Sequence, residues 1–266
     1  MSPLLRLNKL LADRGVAARR KCDRLIADGE VAVDGEVVRE PGTRVDPELQ
    51  KVTVGGQALP GLGPRLYYAL HKPVGVLTTL SDPGGRRTVR EFLPARGPRV
   101  FPVGRLDADT SGLLLVTSDG ALAHRLMHPR YEIPKTYRLS LARPPTPRQL
   151  AQLGMGVEFA PGEVSRPAQV EVAERLGEVT VVALTLCEGR NRQVRRMCEA
   201  VGVELLALQR VRVGPIELGD QPAGTLRRLA REEVAALRRA VAGTPPPPPA
   251  PGRVTPGKRR RPPGRS

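Results

Sequence analysis

The sequence predicts an α+β protein in two unequal parts, and three observations carry that reading. Two short amphipathic segments followed by a valine-rich hairpin fill the first 58 residues. A Pro/Gly-rich stretch, LPGLGPR (59–65), then reads as a linker. From Tyr67 to about Leu237, short β-like runs alternate with helical ones, which marks 66–243 as the larger domain. The last stretch, 244–266, holds nine prolines, six Lys/Arg and no acid, a composition that buries no core and reads as a disordered basic tail.

Each element has a local cause. RLNKLLADRG puts Leu7, Leu10 and Leu11 on one helical face and stops at Gly15. ARRKCDRLIADG makes a second helix that ends at Gly29. EVAVDGEVV alternates valines around Asp34-Gly35, a dipeptide suited to a two-residue hairpin turn. Arg14, Arg19, Arg20, Lys21 and Arg24 crowd the turn and the second helix. Yet residues 1–60 carry ten Lys/Arg against nine Asp/Glu, so this positive charge is local. Strands are expected at LYYALHK, GVLTT, GLLLVT, TYRLSLA, EVTVVALTLC and VELLALQRVRVG.

Bulk composition narrows the function. The 266 residues hold 43 Lys/Arg and 27 Asp/Glu, a net charge of +16 that suits polyphosphate chains or an anionic surface. Aromatics make up only 3% and Trp is absent, which argues against broad base-stacking platforms. No apolar run is long enough to span a bilayer, and the first residues lack a signal-peptide core. Cys22, Cys187 and Cys198 are widely spaced, fit neither a disulfide framework nor a zinc site, and are expected to stay reduced in the cytoplasm.

Acid is nonetheless concentrated in VGRLDADTSGLLLVTSDG (103–120). As a calcium loop, Asp107, Asp109 and Ser111 fit the first half of an EF-hand, but position twelve is Ser118 where a bidentate Glu is required. The alternative is a working carboxylate, Asp107, on the lip of a buried strand, with Arg105 projecting from the same side. Spacing alone favours a plain turn-capping role for Asp107 over either.

Three further stretches bear on chemistry. In CEGRNRQVRRMCEAVG, a helix from about Asn191 buries Val194, Met197, Cys198 and Val201 and presents Arg192, Arg195, Arg196 and Glu199. Three guanidiniums with one compensating acid suit an anionic partner. In YEIPKTYRLSLA, Tyr137 follows Lys135 on a strand, either as a core ring or as one that stacks on a base. His124 and His128 fall four apart on a helix, without the Glu of a zinc-protease motif.

Taken together, these stretches resemble the RsuA/RluB branch of ribosomal RNA pseudouridine synthases across residues 6 to about 237. KPVG (72–75) resembles the first motif of that family, GRLDADTSGLLLVTSDG its catalytic motif, KTYRL its tyrosine motif and EGRNRQVRRM its third. The first fifty residues resemble the small RNA-binding module named after ribosomal protein S-four, with Ala18 where a Ser is usual. The resemblance implies a catalytic domain built on a mixed, mainly antiparallel sheet flanked by helices. It implies that Asp107 is the catalytic aspartate, that Arg105 fills the space left by an extruded nucleotide, and that Tyr137 stacks on the target uracil. Arg195 is implied as the partner of the Asp107 carboxylate, with Asp109 and Asp119 left as turn and cap residues. Lys72, Arg192 and Arg196, with Arg14, Arg19, Arg20 and Lys21 of the module, are the implied RNA contacts. The expected protein is a monomeric cytoplasmic isomerase of ribosomal RNA, of the large subunit in the first instance, needing no cofactor and no metal. A small-subunit or tRNA target, or an idle RNA-binding assembly factor, is the competing reading.

Overall fold

A computed structural model describes residues 4–61 and 63–242. The chain divides into two units. One takes the chain up to Leu66 together with Pro94–Phe101 and Thr117–Gly120; the other takes Tyr67–Leu93, Pro102–Val116 and the chain from Ala121 onward. The expected basic tail lies outside the described residues.

The first unit contains β1 (Leu5–Arg6), α1 (Leu7–Asp13), α2 (Arg19–Ala27), β2 (Val31–Val33), β3 (Glu36–Val38), β4 (Arg44–Val45), β5 (Val52–Val54) and β6 (Gln57–Ala58). Leu7, Leu10 and Leu11 of α1 meet Cys22 and Ile26 of α2 over Val31, Val33, Val45 and Val52, forming one buried cluster. The expected hairpin turn forms with Asp34 at φ 51° and Gly35 at φ 90°, the left-handed pair that a two-residue turn demands. Asp34 also accepts the Lys51 amide at 2.8 Å, which ties the hairpin to the incoming β5. Asn8 links the helices by donating to Asp23 at 2.6 Å and accepting from Arg19 at 3.3 Å.

The remaining elements are β7 (Tyr67–Lys72), β8 (Phe101–Pro102), β9 (Ser111–Thr117), α3 (Gly120–Met127), β10 (Lys135–Leu141), α4 (Pro147–Met155), β11 (Glu158–Ala160), β12 (Glu163–Val164), β13 (Gln169–Leu176), β14 (Val179–Leu186), α5 (Gln193–Ala200), β15 (Leu205–Val213), β16 (Ile216–Glu217), β17 (Leu226–Arg228) and α6 (Arg231–Ala240). The main sheet runs β13-β14-β10-β15-β9-β7-β17, antiparallel at β13/β14, β14/β10, β10/β15 and β7/β17 and parallel at β15/β9. The fold is α+β with a mixed, mainly antiparallel sheet. Leu139, Leu141 and Leu184 of the sheet pack against Leu150 and Leu153 of α4 and Val194, Met197 and Cys198 of α5. Leu113 to Val116 of β9 are all buried, as a strand inside a sheet requires.

Two expectations about strands change. GVLTT is a loop in which only Leu77 makes a bridge, to Thr88. Gly75 takes φ 83° there, and the Thr78 and Thr79 hydroxyls bond to the backbone. Conversely, β13 is a strand that its charged positions Glu171, Glu174 and Arg175 conceal. It is the edge strand of the sheet, and alternate side chains such as Gln169 and Glu171 are exposed.

Candidate active site

The acid-rich loop sits where β9 begins. Gly104, at φ 76°, opens it, and the Thr110 amide returns to the Asp107 carbonyl at 3.1 Å, closing a turn on Asp107 itself. The loop is clamped from the KPVG side. Thr78 donates its hydroxyl to the Leu106 carbonyl at 2.6 Å and accepts the Leu106 amide at 3.1 Å, while the Gly75 amide donates to Ala108 at 2.7 Å. With Leu106 buried and both its peptide groups held, the neighbouring Asp107 side chain is left half-buried at the mouth of a cleft.

That cleft, about 690 Å³, is lined by Arg105, Lys135, Arg166, Arg190, Arg192, Arg195 and Arg210 against two carboxylates, Asp107 and Glu188. Glu188 is already engaged, accepting from the Arg166 amide at 3.0 Å and from the Gln193 side chain. Tyr137 lines the wall, half-buried on β10. Strand alternation sends its neighbours Thr136 and Arg138 to a larger, open hollow of about 1120 Å³ on the other face of the sheet, away from every acid of the motif loop. Arg192, left-handed at φ 48°, caps α5 and reaches back to the loop. Its guanidinium straddles Asp109 at 2.9 and 3.3 Å and stands 3.8 Å from Asp107 Oδ2. A carboxylate, an aromatic ring and a set of cations share one cleft.

A family model for RNA pseudouridylate synthases matches residues 66–200, and an S4 domain model matches residues 5–51. The chain belongs to the RNA pseudouridine synthases. An uncharacterised RNA pseudouridine synthase of Mycobacterium leprae (strain TN) is 44% identical over 244 residues, which cover 89% of this chain and 93% of that one. The ribosomal large subunit pseudouridine synthase B of Bacillus subtilis (strain 168) is 41% identical over 235 residues, covering 88% and 95%. Among solved structures, a pseudouridylate synthase superposes with a TM-score of 0.63 at 29% identity, covering 88% of this chain and 99% of its own. This synthase is therefore an isomerase, and its substrate is RNA.

The synthase distributes its arginines differently from the sequence expectation. Arg195 was to face Asp107; instead its guanidinium donates to the Asp109 carbonyl at 2.7 Å, and Nε lies 3.3 Å from Asp109 Oδ2, outside hydrogen-bond alignment. Asp109 is thus more than a turn residue. Burial opposes its charge, but the Arg192 hydrogen bonds and the two guanidinium charges outweigh it and hold its carboxyl below the ordinary range. Asp119 accepts from Arg65 at 2.6 Å as a buried ion-pair partner. Arg196 leaves the cleft altogether and lies over the Phe159 ring, 4.6 Å from its centroid, and 3.3 Å from Glu163.

Lys72 cannot contact RNA. It is fully buried, and its ammonium donates to the Pro73 and Val76 carbonyls at 2.9 and 2.8 Å. Burial pulls its pKa down to about 8, against the attraction of Asp107 and Asp109. Its role is to brace the KPVG turn beneath the acid loop. Arg105 is exposed on the cleft, and Arg19, Arg20 and Lys21 are exposed on α2. Arg14 is half-buried and donates to the Pro60 carbonyl at 3.1 Å, which removes part of its guanidinium from any ligand.

Three contributors escaped the sequence reading. Arg210, 4% exposed, donates Nε to the Leu113 carbonyl at 2.8 Å and lines the cleft floor. Lys135 donates to the Ile133 carbonyl at 2.9 Å; burial first, then repulsion by Arg210, lowers its pKa to about 8. Thr78 supplies the clamp described above. The sequence signal for Arg210 is a charge inside the apolar run LLALQRVRV, which it shares with Arg212.

Proposed function

We propose that this protein converts a uridine of large-subunit ribosomal RNA to pseudouridine, with Asp107 acting on the ribose of a nucleotide extruded into the cleft. One observation carries the reading: of the two carboxylates in a strongly cationic cleft, Asp107 is the one whose oxygens are not consumed by the cleft wall, and Tyr137 lines the same space. The surrounding guanidiniums bind the phosphates on either side, which offsets the few kcal/mol that extrusion costs.

The reaction breaks the bond from C1′ to N1, turns the uracil and joins C1′ to C5; the C5 proton leaves and N1 gains one. Nothing is oxidised, so the chemistry calls for no cofactor or metal. Asp107 serves by attacking C1′ or by taking a ribose proton, with the Arg192 guanidinium 3.8 Å from its carboxylate. Tyr137, which lines the same cleft, stacks on the freed uracil, and its hydroxyl takes part in moving the C5 proton. Arg105 occupies the gap in the RNA stack. The exposed cations of α2 add affinity for the RNA backbone. Likeness to the Bacillus subtilis large-subunit enzyme over most of both chains supports the choice of RNA. A cytoplasmic setting follows from a ribosomal RNA substrate.

Pseudouridine mapping of ribosomal RNA from cells lacking the gene tests this. One large-subunit site should lose its pseudouridine and regain it on complementation. An unchanged map in the large subunit would overturn the assignment.

A further inference from the structure

The chain has four Tyr, three Phe, three His and no Trp, so any cluster of rings on its surface is conspicuous. One stands at the rim of the cleft. Helix α3 ends at Met127, and a single 3-10 turn, Pro129–Tyr131, follows. The His128 and Tyr131 rings meet edge to face, with centroids 6.2 Å apart, and His124 stands 5.5 Å from His128. Arg130 lies 4.5 Å from the Tyr131 centroid and donates to the Tyr131 hydroxyl. His128 Nδ1 accepts the Arg130 amide at 3.2 Å, which holds the ring against the turn.

Core packing does not account for this arrangement. The buried residues of α3 are Leu122, Ala123 and Leu126, whereas His124, His128 and Arg130 are exposed and Tyr131 is only half-buried. The cluster is also joined to the reaction site. Met127 and His128 line the cleft that holds Asp107, and the Met127 sulfur accepts the Gly104 amide at 3.0 Å at the opening of the acid loop.

We propose that His128 and Tyr131, backed by Arg130, form a stacking platform for an unpaired RNA base flanking the extruded uridine. The proposal rests on the reading of the Asp107 cleft given above. Extrusion strips the neighbouring base of its stacking partner, and aromatic rings with a guanidinium plane replace that contact without regard to base identity. The platform is small, which agrees with the low aromatic content of the chain.

The test uses full-length protein and 11-nucleotide RNA strands carrying 2-aminopurine at each position in turn, a base whose fluorescence falls on stacking. Wild type should quench the probe most strongly at positions on one side of the bound segment. The double variant His128→Ala/Tyr131→Ala should lose that quenching and bind the strands about tenfold more weakly. His128→Phe should restore quenching in the Tyr131 background, because stacking needs a ring and not an imidazole. Absence of quenching in wild type, or quenching unchanged in the double variant, would overturn the platform. Tritium release from C5-tritiated ribosomal RNA, measured in parallel on wild type, separates the two readings. Failure there defeats the uridine assignment, whereas release with unaltered quenching in the variants defeats only the platform.

Discussion

Tyr137 and Arg210 are direct partners across the β10/β15 pairing, and both line the cleft. On its other side Arg210 pairs with Gly112 of β9 in the parallel ladder. The ring, the buried cation and the start of the acid loop's strand therefore lie in one row across three strands. A register irregularity just beyond Tyr137 leaves Val211 unpaired, so that Thr136 faces Arg212; Arg210 enters the cleft while Arg212 lines the opposite hollow.

Gly112 is the tightest point of that row. A Cβ there would fall 2.2 Å from the Arg210 carbonyl oxygen, at a φ of 110° that side chains rarely adopt. Gly112→Ala should destabilise the protein by about 3 kcal/mol or more, read as a lower urea midpoint at an unchanged slope. A loss below about 1 kcal/mol would mean the strands separate easily.

Tyr137 contributes a ring and a hydroxyl, and two substitutions separate them. Tyr137→Phe should bind RNA within about twofold of wild type but turn over about a hundredfold more slowly, the scale of a lost proton-transfer group. Tyr137→Ala should lose affinity as well. Equal turnover of wild type and Tyr137→Phe in single-turnover assays would remove the hydroxyl from the chemistry.

Buried Lys72 and half-buried Lys135 both have lowered pKa values, and each is read in a different observable. Lys135 titrates near 8, so raising the pH from 7 to 9 removes a cation from the cleft and should weaken RNA binding; Lys135→Arg stays charged and should flatten that fall. Lys72 is read in folding stability. Lys72 also titrates near 8 when folded, against about 10.4 when unfolded. Between those values the unfolded chain holds more protons, so stability rises with pH across that window. Lys72→Met should remove a few kcal/mol of that rise, measured by denaturant titration from pH 7 to 10.5.

Arg192 and Arg196 are four apart yet engaged differently. Arg192→Ala should lower the salt dependence of RNA affinity by about one phosphate's worth and slow turnover, since it is also the cation nearest Asp107. Arg196→Ala should leave the salt slope unchanged and cost about 1 kcal/mol of stability through its lost contact with Phe159. Matching salt slopes for the two variants would contradict the geometry.

Local patterns made much of this legible. The 3-4 spacing of Leu7, Leu10 and Leu11, the Asp34-Gly35 turn and the apolar run at 113–116 each formed what they predict, because one neighbourhood of sequence determines them. What stayed hidden depends on distant partners. Lys72 looks like a surface cation until the fold buries it and two carbonyls take its ammonium. The pairing of Arg195 with Asp109 joins residues 86 positions apart, and no local sequence signal marks the left-handed Arg192 at the start of α5. Arg210 needed the sheet order, which places β15 beside β9 across nearly a hundred residues.

The most direct measurement is tritium release by Asp107→Asn on C5-tritiated ribosomal RNA, with RNA affinity measured on the same preparation. Release should fall to background while affinity stays within a few fold of wild type, because the amide keeps the shape of the side chain but is neither a nucleophile nor a base. Turnover near the wild-type rate would contradict the assignment of Asp107.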